Sequence, residues 1–417
     1  MAREMKDSGV PWIGTVPANW AVEKLKFLTL FCQEKYREEL GYLAYIGLEN
    51  VVSWNGKFIE TESEYDRSQS LLFVQNDILW GKLRPYLAKV FHCQESGCCS
   101  EEFCVIRPRL GINVRYLWNT LISAGFVSTV DQSTYGTKMP RANADFIKNM
   151  LIPVPPVTEQ KRIGTILDCK CAEIDTIIEK TRLSIEEFKK LKQVIITQAV
   201  TKGIRGDRPM KDSGIEWVGS VPTDWSIQRI KTIFNLRDER NHLPLQEVNL
   251  ISLYTDRGVV QHADLEATTG NKAANADGYK LVHENDIVVN IILCWMGAIG
   301  CSAYSGVTSP AYDVYTASDK IDSWFYHYYF RTAGFSGDCY KRGRGIMAMR
   351  WRTYSDQFRD IRVVVPPLQE QKGILEFLNA KCNEIDRLIE KKQELLASIE
   401  NYKKSLIYEY VTGKKSV

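Results

Sequence analysis

The chain has 417 residues and a formal net charge of +3 at pH 7, from 54 Lys and Arg against 51 Asp and Glu. It is too long for one ordinary hydrophobic core, and it contains neither a run of 18 apolar residues nor an apolar leader after Met1. These features argue against a membrane protein or a secreted protein, and the expected compartment is the cytoplasm.

A segment rich in Gly, Pro and Trp opens the chain and occurs a second time. Residues 5–20 return as residues 210–225. A second phrase, with a double proline, a Glu-Gln pair and a Glu-Ile-Asp group, occupies residues 155–180 and returns as residues 366–391. The ends of the two copies match and their middles differ, which indicates a tandem duplication of one scaffold with two different binding regions. A duplicated scaffold suits a partner with approximate two-fold symmetry.

The middle of each copy predicts an α+β domain. Short runs rich in β-branched and aromatic residues, such as residues 78–80, are bounded by turn residues and indicate strands. Helices are expected at residues 114–124 and 323–333, with Gly125 and Gly334 as their stop signals.

The stretches after the double prolines predict two long helices. Residues 159–201 contain no Pro and only one Gly, and Thr158 stands at the position of an N-cap. Apolar residues recur at steps of four and three in both stretches and in the same phase. The predicted seam residues are Leu167, Ile174, Ile178, Ile185, Phe188 and Ile195 in the first helix, and Leu378, Ile385, Ile389, Leu396, Ile399 and Leu406 in the second.

Each apolar stripe needs a partner, and the simplest partner for one helix is the other. We expect an antiparallel coiled coil, because a duplicated domain and helix then close on each other about a pseudo-two-fold axis. Parallel pairing, packing on other proteins and an intermolecular dimer are the alternatives. Each helix would be roughly 60 Å long and would act as a rigid spacer. The expected domains are residues 1–157 and 204–368, and the expected helices are residues 158–203 and 369–417.

Eleven cysteines raise the question of a metal site. The densest group, for which zinc binding is one interpretation, comprises His92, Cys93, Cys98, Cys99 and Cys104. The positions aligned with its four cysteines in the second copy are Ser302, Val307, Thr308 and Asp313. A metal essential to the fold should be present in both copies, so free reduced thiols are the better interpretation.

Catalytic motifs are not evident. The chain has no Gly-x-x-x-x-Gly-Lys-Ser/Thr phosphate loop and no Asn/Asp-Pro-Pro-Tyr/Phe motif of adenine methyltransferases. Glu159-Gln160-Lys161 and its copy at residues 370–372 resemble the Glu-x-Lys half of a metal-dependent nuclease. A glutamate at the start of a helix is, however, favoured by the exposed backbone amides. We therefore predict no catalytic residue and no metal ligand.

Three segments combine cations with Gly, Pro or aromatic residues, a composition typical of nucleic-acid contacts. Residues 82–86 and 135–141 lie in the first copy, and the arginine-rich residues 342–352 lie in the second. Glycine lets the backbone approach a phosphate, and arginine offers a bidentate fork to guanine. The predicted DNA-contacting residues are Lys82, Arg84, Tyr86, Tyr135, Lys138, Arg141, Arg342, Arg344, Arg350 and Arg352. A solvated surface loop is the alternative interpretation of such segments.

The chain resembles the specificity subunit of a type I restriction-modification system over essentially its whole length. The phrases that carry the resemblance are residues 6–20, 81–87, 99–103 and 155–160, with the duplicate set in the second half. The resemblance implies two target recognition domains separated by two long helices that form an antiparallel coiled coil. Each domain would read one half of a bipartite DNA site, and the coil would fix the spacer between the halves.

The resemblance also implies the partners. The chain would bind double-stranded DNA in a complex with other subunits. These would be two methyltransferase subunits, which supply S-adenosylmethionine and flip the target adenine, and two motor-nuclease subunits. S-adenosylmethionine, ATP and Mg²⁺ would then belong to the partners, and this chain would carry no cofactor and no catalysis. One departure is that residues 290–296 of the second copy do not repeat the Gly-Lys-Leu-Arg-Pro-Tyr phrase, so Lys82 and Arg84 have no counterparts.

Two other functions stay open on the sequence alone. A self-contained nuclease or methyltransferase would show turnover without a partner. A coiled-coil adaptor would not bind duplex DNA even in the presence of its partners.

Overall fold

The computed structural model describes residues 3–37, 39, 41, 43–62, 68–136, 138–261, 275–345 and 351–417. Its contacts divide the chain into two compact units: Met1–Leu183 with Gln393–Val417 form unit 1, and Ser184–Lys392 form unit 2. Each unit therefore contains one copy of the repeated globular part and a portion of both long helices. Within the described ranges, no helix is long and apolar enough to cross a membrane.

Unit 1 is a mixed unit of short strands and helices. Its strands are β1 (Met5–Asp7), β2 (Thr15–Pro17), β3 (Ala21–Lys24), β4 (Thr29–Cys32), β5 (Tyr45–Ile46), β6 (Leu71–Phe73), β7 (Ile78–Gly81), β8 (Val90–His92), β9 (Gly97–Cys99), β10 (Phe103–Pro108) and β11 (Leu151–Val154). Its helices are α1 (Leu25–Leu28), α2 (Val114–Ile122), α3 (Ala124–Gln132) and α4 (Ala144–Asn149), followed by the long helix α5 (Val157–Lys202), which continues into unit 2. An antiparallel sheet in the order β4-β10-β7-β8 forms its centre.

Unit 2 repeats this order with one additional strand, Gly258–Gln261, among the described residues. Its strands are β12 (Met210–Asp212), β13 (Ser220–Pro222), β14 (Ser226–Arg229), β15 (Phe234–Arg237), β16 (Ile251–Tyr254), β17 (Gly258–Gln261), β18 (Lys280–Val282), β19 (Ile287–Asn290), β20 (Ile299–Cys301), β21 (Gly306–Thr308), β22 (Tyr312–Ala317) and β23 (Arg362–Val365). Its helices are α6 (Ile230–Ile233), α7 (Ser323–Phe330), α8 (Ala333–Arg342) and α9 (Ser355–Arg359), followed by the long helix α10 (Leu368–Val411). The central sheet has the equivalent order β15-β22-β19-β20, so the predicted duplication and the α+β class are confirmed.

Apolar side chains from the sheet and the helices fill the core of each unit. In unit 1, Trp80 on the sheet packs edge-to-face against Phe126 of α3, and both side chains are fully buried. Unit 2 uses more aromatic rings, among them Phe330 and Phe335, whose ring centroids lie 4.6 Å apart. Offset aromatic pairs of this kind add specific geometry to the burial of apolar area.

The prediction that Gly125 and Gly334 stop a helix was wrong. The helix before each glycine ends earlier, and the glycine lies in the first turn of the next helix, α3 or α8. Its role is to admit a tryptophan of the repeated opening segment. A Cβ atom at Gly125 would lie 2.7 Å from the ring of Trp12, and one at Gly334 would lie 2.2 Å from the ring of Trp217.

The long helix α5 begins at Val157, so Thr158 lies in its first turn and is not the N-cap that the sequence predicted. The start of the helix is fixed by the double proline instead. The carbonyl oxygen of Pro156 accepts hydrogen bonds from the amides of Glu159, at 2.8 Å, and Gln160, at 3.0 Å. Proline lacks a backbone N–H, so it suits the start of a helix, where the first amides have no partner inside the helix.

In unit 1 the two long helices pair in antiparallel orientation. The Nζ atom of Lys403 lies 2.6 Å from Asp175 Oδ1, and Arg182 Nη2 lies 2.6 Å from Glu400 Oε1. Rising numbers on α5 therefore meet falling numbers on α10. The buried cluster between the helices includes Leu167, Ile174, Ile178, Leu406 and Tyr410.

Unit 2 shows the same antiparallel pairing. Lys192 Nζ lies 2.6 Å from Asp386 Oδ2, and the ammonium of Lys392 lies 5.7 Å from the ring centroid of Phe188. The Lys192–Asp386 pair is the repeat counterpart of the Asp175–Lys403 pair in unit 1. All of the predicted seam residues of α5 and α10 are buried or half-buried, and the predicted antiparallel coiled coil is confirmed in each unit.

Candidate nucleic-acid interface

The two predicted loops of unit 1 lie against each other. The amide of Arg84 donates to the carbonyl of Pro140 at 2.7 Å, and the amide of Ala142 donates to the carbonyl of Lys82 at 2.9 Å. Tyr135 and Arg141 exchange backbone hydrogen bonds across the second loop, at 3.4 and 3.1 Å. Residues 82–86, 135–136 and 138–141 thus form one surface, which we call loop pair 1.

Loop pair 1 combines exposed aromatic rings with cations. Tyr86 is 45% exposed and Tyr135 is 62% exposed, which leaves both rings free to stack on another molecule. Lys138 and Arg141 are exposed, whereas Lys82 and Arg84 are half-buried. The structure therefore brings together all six residues that the sequence predicted for this surface.

Local backbone geometry sets the shape of the first loop. Arg84 and Ala88 both adopt left-handed conformations, with φ angles of 50° and 46°, at the two ends of the 3₁₀ helix Pro85–Leu87. Left-handed backbone at non-glycine residues costs free energy and persists where the surrounding structure fixes it. The proline and the backbone bonds to the second loop provide that restraint, so Tyr86 projects from a rigid turn.

Unit 2 repeats three of these four backbone bonds with other side chains. The amide of Thr353 donates to the carbonyl of Ile291 at 2.9 Å, as Ala142 does to Lys82 in unit 1. Arg344 and Arg352 exchange backbone hydrogen bonds at 2.8 and 3.0 Å. They occupy the positions of Tyr135 and Arg141. We call the surface formed by residues 291–296, 340–345 and 351–352 loop pair 2.

Three aromatic rings support loop pair 2. Tyr340 stacks on Trp351 with ring centroids 5.0 Å apart, and Trp295 packs against Tyr340 at 5.6 Å. The indole N–H of Trp351 donates to the carbonyl of Tyr340 at 3.1 Å. A Cβ atom at Gly343 would lie 2.3 Å from Trp351 Nε1, so the glycine is required for this close approach.

The structure places three of the four predicted arginines of unit 2. Arg344 and Arg352 are exposed and lie together on loop pair 2. Arg342 ends helix α8, with its Nη1 atom 3.8 Å from Asp360 Oδ2. Arg350 lies outside the described residues, so its predicted role stays a prediction.

The side chains of the first loop differ between the two copies. Ile291 and Leu293 replace the cations Lys82 and Arg84, and Trp295 stands at the position of Tyr86. The 3₁₀ turn survives as Cys294–Met296, and Gly297, with a φ angle of 88°, replaces the left-handed Ala88. The turn and its left-handed end are thus preserved, whereas its start differs, because Leu293 has a φ angle of -117° and Arg84 one of 50°. The side chains are exchanged throughout.

A buried ion pair in unit 2 contacts the start of α9, the helix that follows loop pair 2. Lys280 Nζ lies 2.8 Å from Asp313 Oδ1, and both side chains are less than a tenth exposed. The carboxylate of Asp313 also accepts hydrogen bonds from Tyr315, at 3.2 Å, and from Ser355 at the start of α9. The corresponding positions of unit 1 hold Leu71 and Cys104.

Sequence reasoning missed the role of the repeated glutamates. Glu159 accepts hydrogen bonds from Trp20 Nε1 at 3.0 Å and from Arg3 Nη2 at 2.9 Å. These contacts anchor the repeated opening segment to the start of α5. They also hold the pKa of Glu159 below its ordinary value against the opposing effect of burial.

The copy in unit 2 makes the same contacts. Trp225 Nε1 donates to Glu370 at 2.9 Å, and Arg208 Nη2 donates to it at 2.6 Å. The joint duplication of Arg, Trp and Glu was the sequence signal that would have revealed this anchor.

Cys93, Cys99 and Cys104 of unit 1 are buried free thiols. Burial raises the pKa of Cys104 to about 11 and raises the pKa of Cys93 and Cys99 further, which keeps these thiols protonated at neutral pH. In the part of the chain that the structure describes, no group of three or more His, Cys, Asp and Glu residues is arranged to hold a metal ion.

The duplicated architecture with its two loop pairs matches one protein family. The family model for the type I restriction modification DNA specificity domain matches residues 31–187 and 222–400. The type I restriction enzyme MjaVIII specificity subunit of Methanocaldococcus jannaschii is 26% identical over 298 residues, which cover 69% of this chain and 67% of that protein. The putative MjaX specificity subunit of the same organism is 27% identical over 279 residues, which cover 65% of this chain and 61% of that protein.

Solved structures show the same fold. The HsdS subunit from Thermoanaerobacter tengcongensis aligns with a TM-score of 0.52 and 16% identity, over 96% of this chain and 98% of that one. A chain from a study of complex assembly and conformational transition of the type I R-M system aligns with a TM-score of 0.73 and 15% identity, over 96% of this chain and 99% of that one. With one family match in each copy of the repeat, the chain belongs to the specificity subunits of type I restriction-modification systems.

Proposed function

We propose that the chain reads a bipartite site on double-stranded DNA, with one half contacted by loop pair 1 and the other by loop pair 2. The observation that carries this proposal is that three of the four backbone hydrogen bonds of loop pair 1 recur in loop pair 2 under unlike side chains. A common frame with different side chains is what two half-sites of different sequence require. That the long helices set the spacing between the halves stays a prediction.

The chemistry of each loop pair suits base and phosphate contacts. Arginine forks such as those of Arg141 and Arg352 match the acceptor pair of guanine in the major groove. Exposed rings such as Tyr86 provide flat apolar surfaces for sugars and bases, and the lysines add attraction to phosphates. Loop pair 1 presents cations on both loops, whereas loop pair 2 presents them on one, so the two half-sites should differ.

In this proposal the chain directs chemistry that its partners perform in the cytoplasm. Two methyltransferase subunits would modify adenine at N6 with S-adenosylmethionine, and motor-nuclease subunits would use ATP and Mg²⁺ for restriction. The engagement of Glu159 and Glu370 by Trp and Arg side chains supports the absence of catalysis in this chain, because these carboxylates are already satisfied. The study of complex assembly among the structural neighbours supports a multisubunit context.

Methylation mapping tests the proposal. The chain is expressed with the methyltransferase subunit of its own system, and N6-methyladenine is mapped on the host DNA. We expect a single motif of two defined halves separated by a fixed number of unspecified bases, and its loss when the chain is omitted.

Two results would contradict the proposal. Turnover of DNA by the purified chain alone, with Mg²⁺ and S-adenosylmethionine, would show a self-contained enzyme. A complex with the methyltransferase that never binds duplex DNA would show an adaptor instead.

A further inference from the structure

Three cations outside the loop pairs occur at matched positions of both units. Their positions are the last residue of a strand, the short helix after it, and the short helix that follows the second loop of each pair. They are Lys24, Lys26 and Lys148 in unit 1, and Arg229, Lys231 and Arg359 in unit 2. We call these two sets the cation triads.

The fold holds each triad beside its loop pair. Helix α1, which carries Lys26, packs on α4, and α6, which carries Lys231, packs on α9. Matched backbone bonds fix these contacts, because the amide that starts α1 donates to Met150 O at 2.9 Å and the amide that starts α6 donates to Ile361 O at 3.0 Å. Helices α4 and α9 begin three residues after Arg141 and Arg352, the last residues of the two loop pairs.

The triads are accessible to a ligand. Lys26 is exposed and Lys24 is half-buried, and the side chain of Lys148 is 27% exposed. In unit 2 the side chains of Arg229 and Lys231 are 50% and 46% exposed.

Carboxylates near the triads differ between the units. Asp145 pairs with Lys148 at 3.1 Å in unit 1, where Glu23 precedes Lys24. In unit 2 a single carboxylate, Asp360, contacts Arg229, Lys231 at 3.0 Å and Arg342 at 3.8 Å.

In unit 2 the positive charge of the triad exceeds the negative charge of Asp360. Arg359 Nε is buried and has no hydrogen-bond partner among the described residues. The position of Asp360 is held in unit 1 by Asn149. The convergence of several cations on one anionic group is the arrangement that also receives a phosphate.

The contrast between triads and loop pairs indicates what the triads bind. Side chains that read bases must differ between two unlike half-sites, whereas phosphates are identical along all DNA. Loop pair 2 has apolar residues in place of the cations at 82 and 84, but the triads have kept their charge at all three positions.

We propose that the cation triads form a second DNA-contact surface in each unit, which binds backbone phosphates beside the half-site without regard to sequence. The inference rests on the proposed reading of a bipartite site and extends it to residues outside the loop pairs. Asp360 holds Arg229 and Lys231 of the unit 2 triad together in the free protein, and a phosphate replaces it when DNA binds.

The test uses the complex of the full chain with its methyltransferase. Binding to DNA with the mapped motif and to unrelated DNA is measured against salt concentration for Lys26→Ala and Lys231→Ala. Each variant should weaken binding to both DNAs by the same factor, and should reduce the slope of log K against log salt by about 0.9 for each phosphate that it no longer neutralises. The methylated motif should stay unchanged.

Matched variants separate charge from structure. Lys26→Arg should keep the salt slope of the wild type, because it keeps the charge. Lys189→Ala, on the exposed face of α5, should leave binding unchanged. Asp360→Asn copies the unit 1 residue and should tighten binding to both DNAs.

The outcomes distinguish the two proposals. A wild-type complex without a bipartite motif would overturn the proposed function. If the wild-type complex has that motif but Lys26→Ala and Lys231→Ala keep the wild-type affinity and salt slope, only the role of the triads is overturned. A changed motif in either variant would also overturn it, because a phosphate contact carries no base preference.

Discussion

The guanidinium of Arg141 in loop pair 1 is held by the carboxylate of Glu102, whereas the equivalent Arg352 of loop pair 2 adjoins the stack of Trp351 on Tyr340. The position of Glu102 in unit 2 is held by Ala311. The backbone bonds that place the two arginines are nevertheless the same. A frame fixed by backbone hydrogen bonds leaves its side chains free to change, which is how one duplicated scaffold can acquire two specificities.

The interiors beneath the loop pairs differ as well. Unit 2 contains the buried pair of Lys280 and Asp313, whereas unit 1 has apolar and thiol side chains at those positions. A buried ion pair that loses one member leaves an uncompensated charge, so the two units should respond very differently to single substitutions.

The largest expected effect is the removal of Lys280. Lys280→Leu should destabilise unit 2 by about 3–5 kcal/mol, because it leaves the buried carboxylate of Asp313 without a counter-ion. Urea unfolding monitored by tryptophan fluorescence measures this loss.

The matched control introduces both residues of unit 1. Lys280→Leu combined with Asp313→Cys restores a neutral pair at the same two positions and should recover most of the lost stability. A single variant as stable as the wild type, or a double variant no better than the single one, would show that the pair does not support unit 2.

The repeated anchors offer the next comparison. The side chain of Glu370 is 7% exposed and that of its partner Arg208 is 15% exposed, against 15% and 29% for Glu159 and Arg3. Glu370→Ala should therefore cost about 3 kcal/mol and Glu159→Ala about 2 kcal/mol, since each strands a tryptophan N–H and a guanidinium. Chemical unfolding of both variants should rank them in this order, and the reverse order would contradict the assigned burial.

Acid should destabilise unit 2 through His327. Burial and the nearby Arg331 lower the pKa of His327 to about 3, from an ordinary value of 6.5. As the pH falls below 6.5 the unfolded chain binds a proton at this residue and the folded chain does not, so stability is lost progressively down to pH 3.

The loss from His327 at pH 5 should be about 2 kcal/mol. The ring accepts a hydrogen bond from the amide of Cys301 at 3.2 Å, and unit 1 has the non-titrating Trp118 at the equivalent position. His327→Gln keeps an acceptor and removes the titration, so its stability should change less between pH 7 and pH 5. An equal pH dependence in both proteins would assign the effect to other groups.

The smallest effect is expected at Glu102. The pair that it forms with Arg141 is partly exposed, so Glu102→Ala should change stability by less than about 1 kcal/mol. It should, however, release the guanidinium of Arg141 and lower discrimination at the first half-site a few-fold, as measured by methylation of DNA with single base changes. A change at the second half-site would contradict the independence of the two loop pairs.

The sequence predicted the features that depend on local or periodic patterns. The duplication, the α+β class and the antiparallel pairing of the long helices all follow from repeats and from apolar spacing. The seam even tolerates Lys192 and Lys403, because each pairs with an aspartate of the opposite helix.

Features that depend on distant contacts were not predictable in the same way. Gly125 has the local pattern of a stop signal. The ring of Trp12, more than 100 residues earlier in the chain, packs on it, and no residue near Gly125 in the sequence indicates this contact. The pairing of residues 82–86 with residues 135–141 likewise joins segments about 50 residues apart. The composition of each segment indicated DNA contact, but only the fold shows that the two segments form one surface.

The most direct test of two independent loop pairs compares Arg141→Ala with Arg352→Ala in complex with the methyltransferase. Methylation rates are measured on DNA libraries in which every base of the mapped site is varied. Arg141→Ala should relax the base preference of one half by about 1–3 kcal/mol and leave the other half unchanged, and Arg352→Ala should do the reverse. Equal relaxation of both halves by either variant would contradict the account.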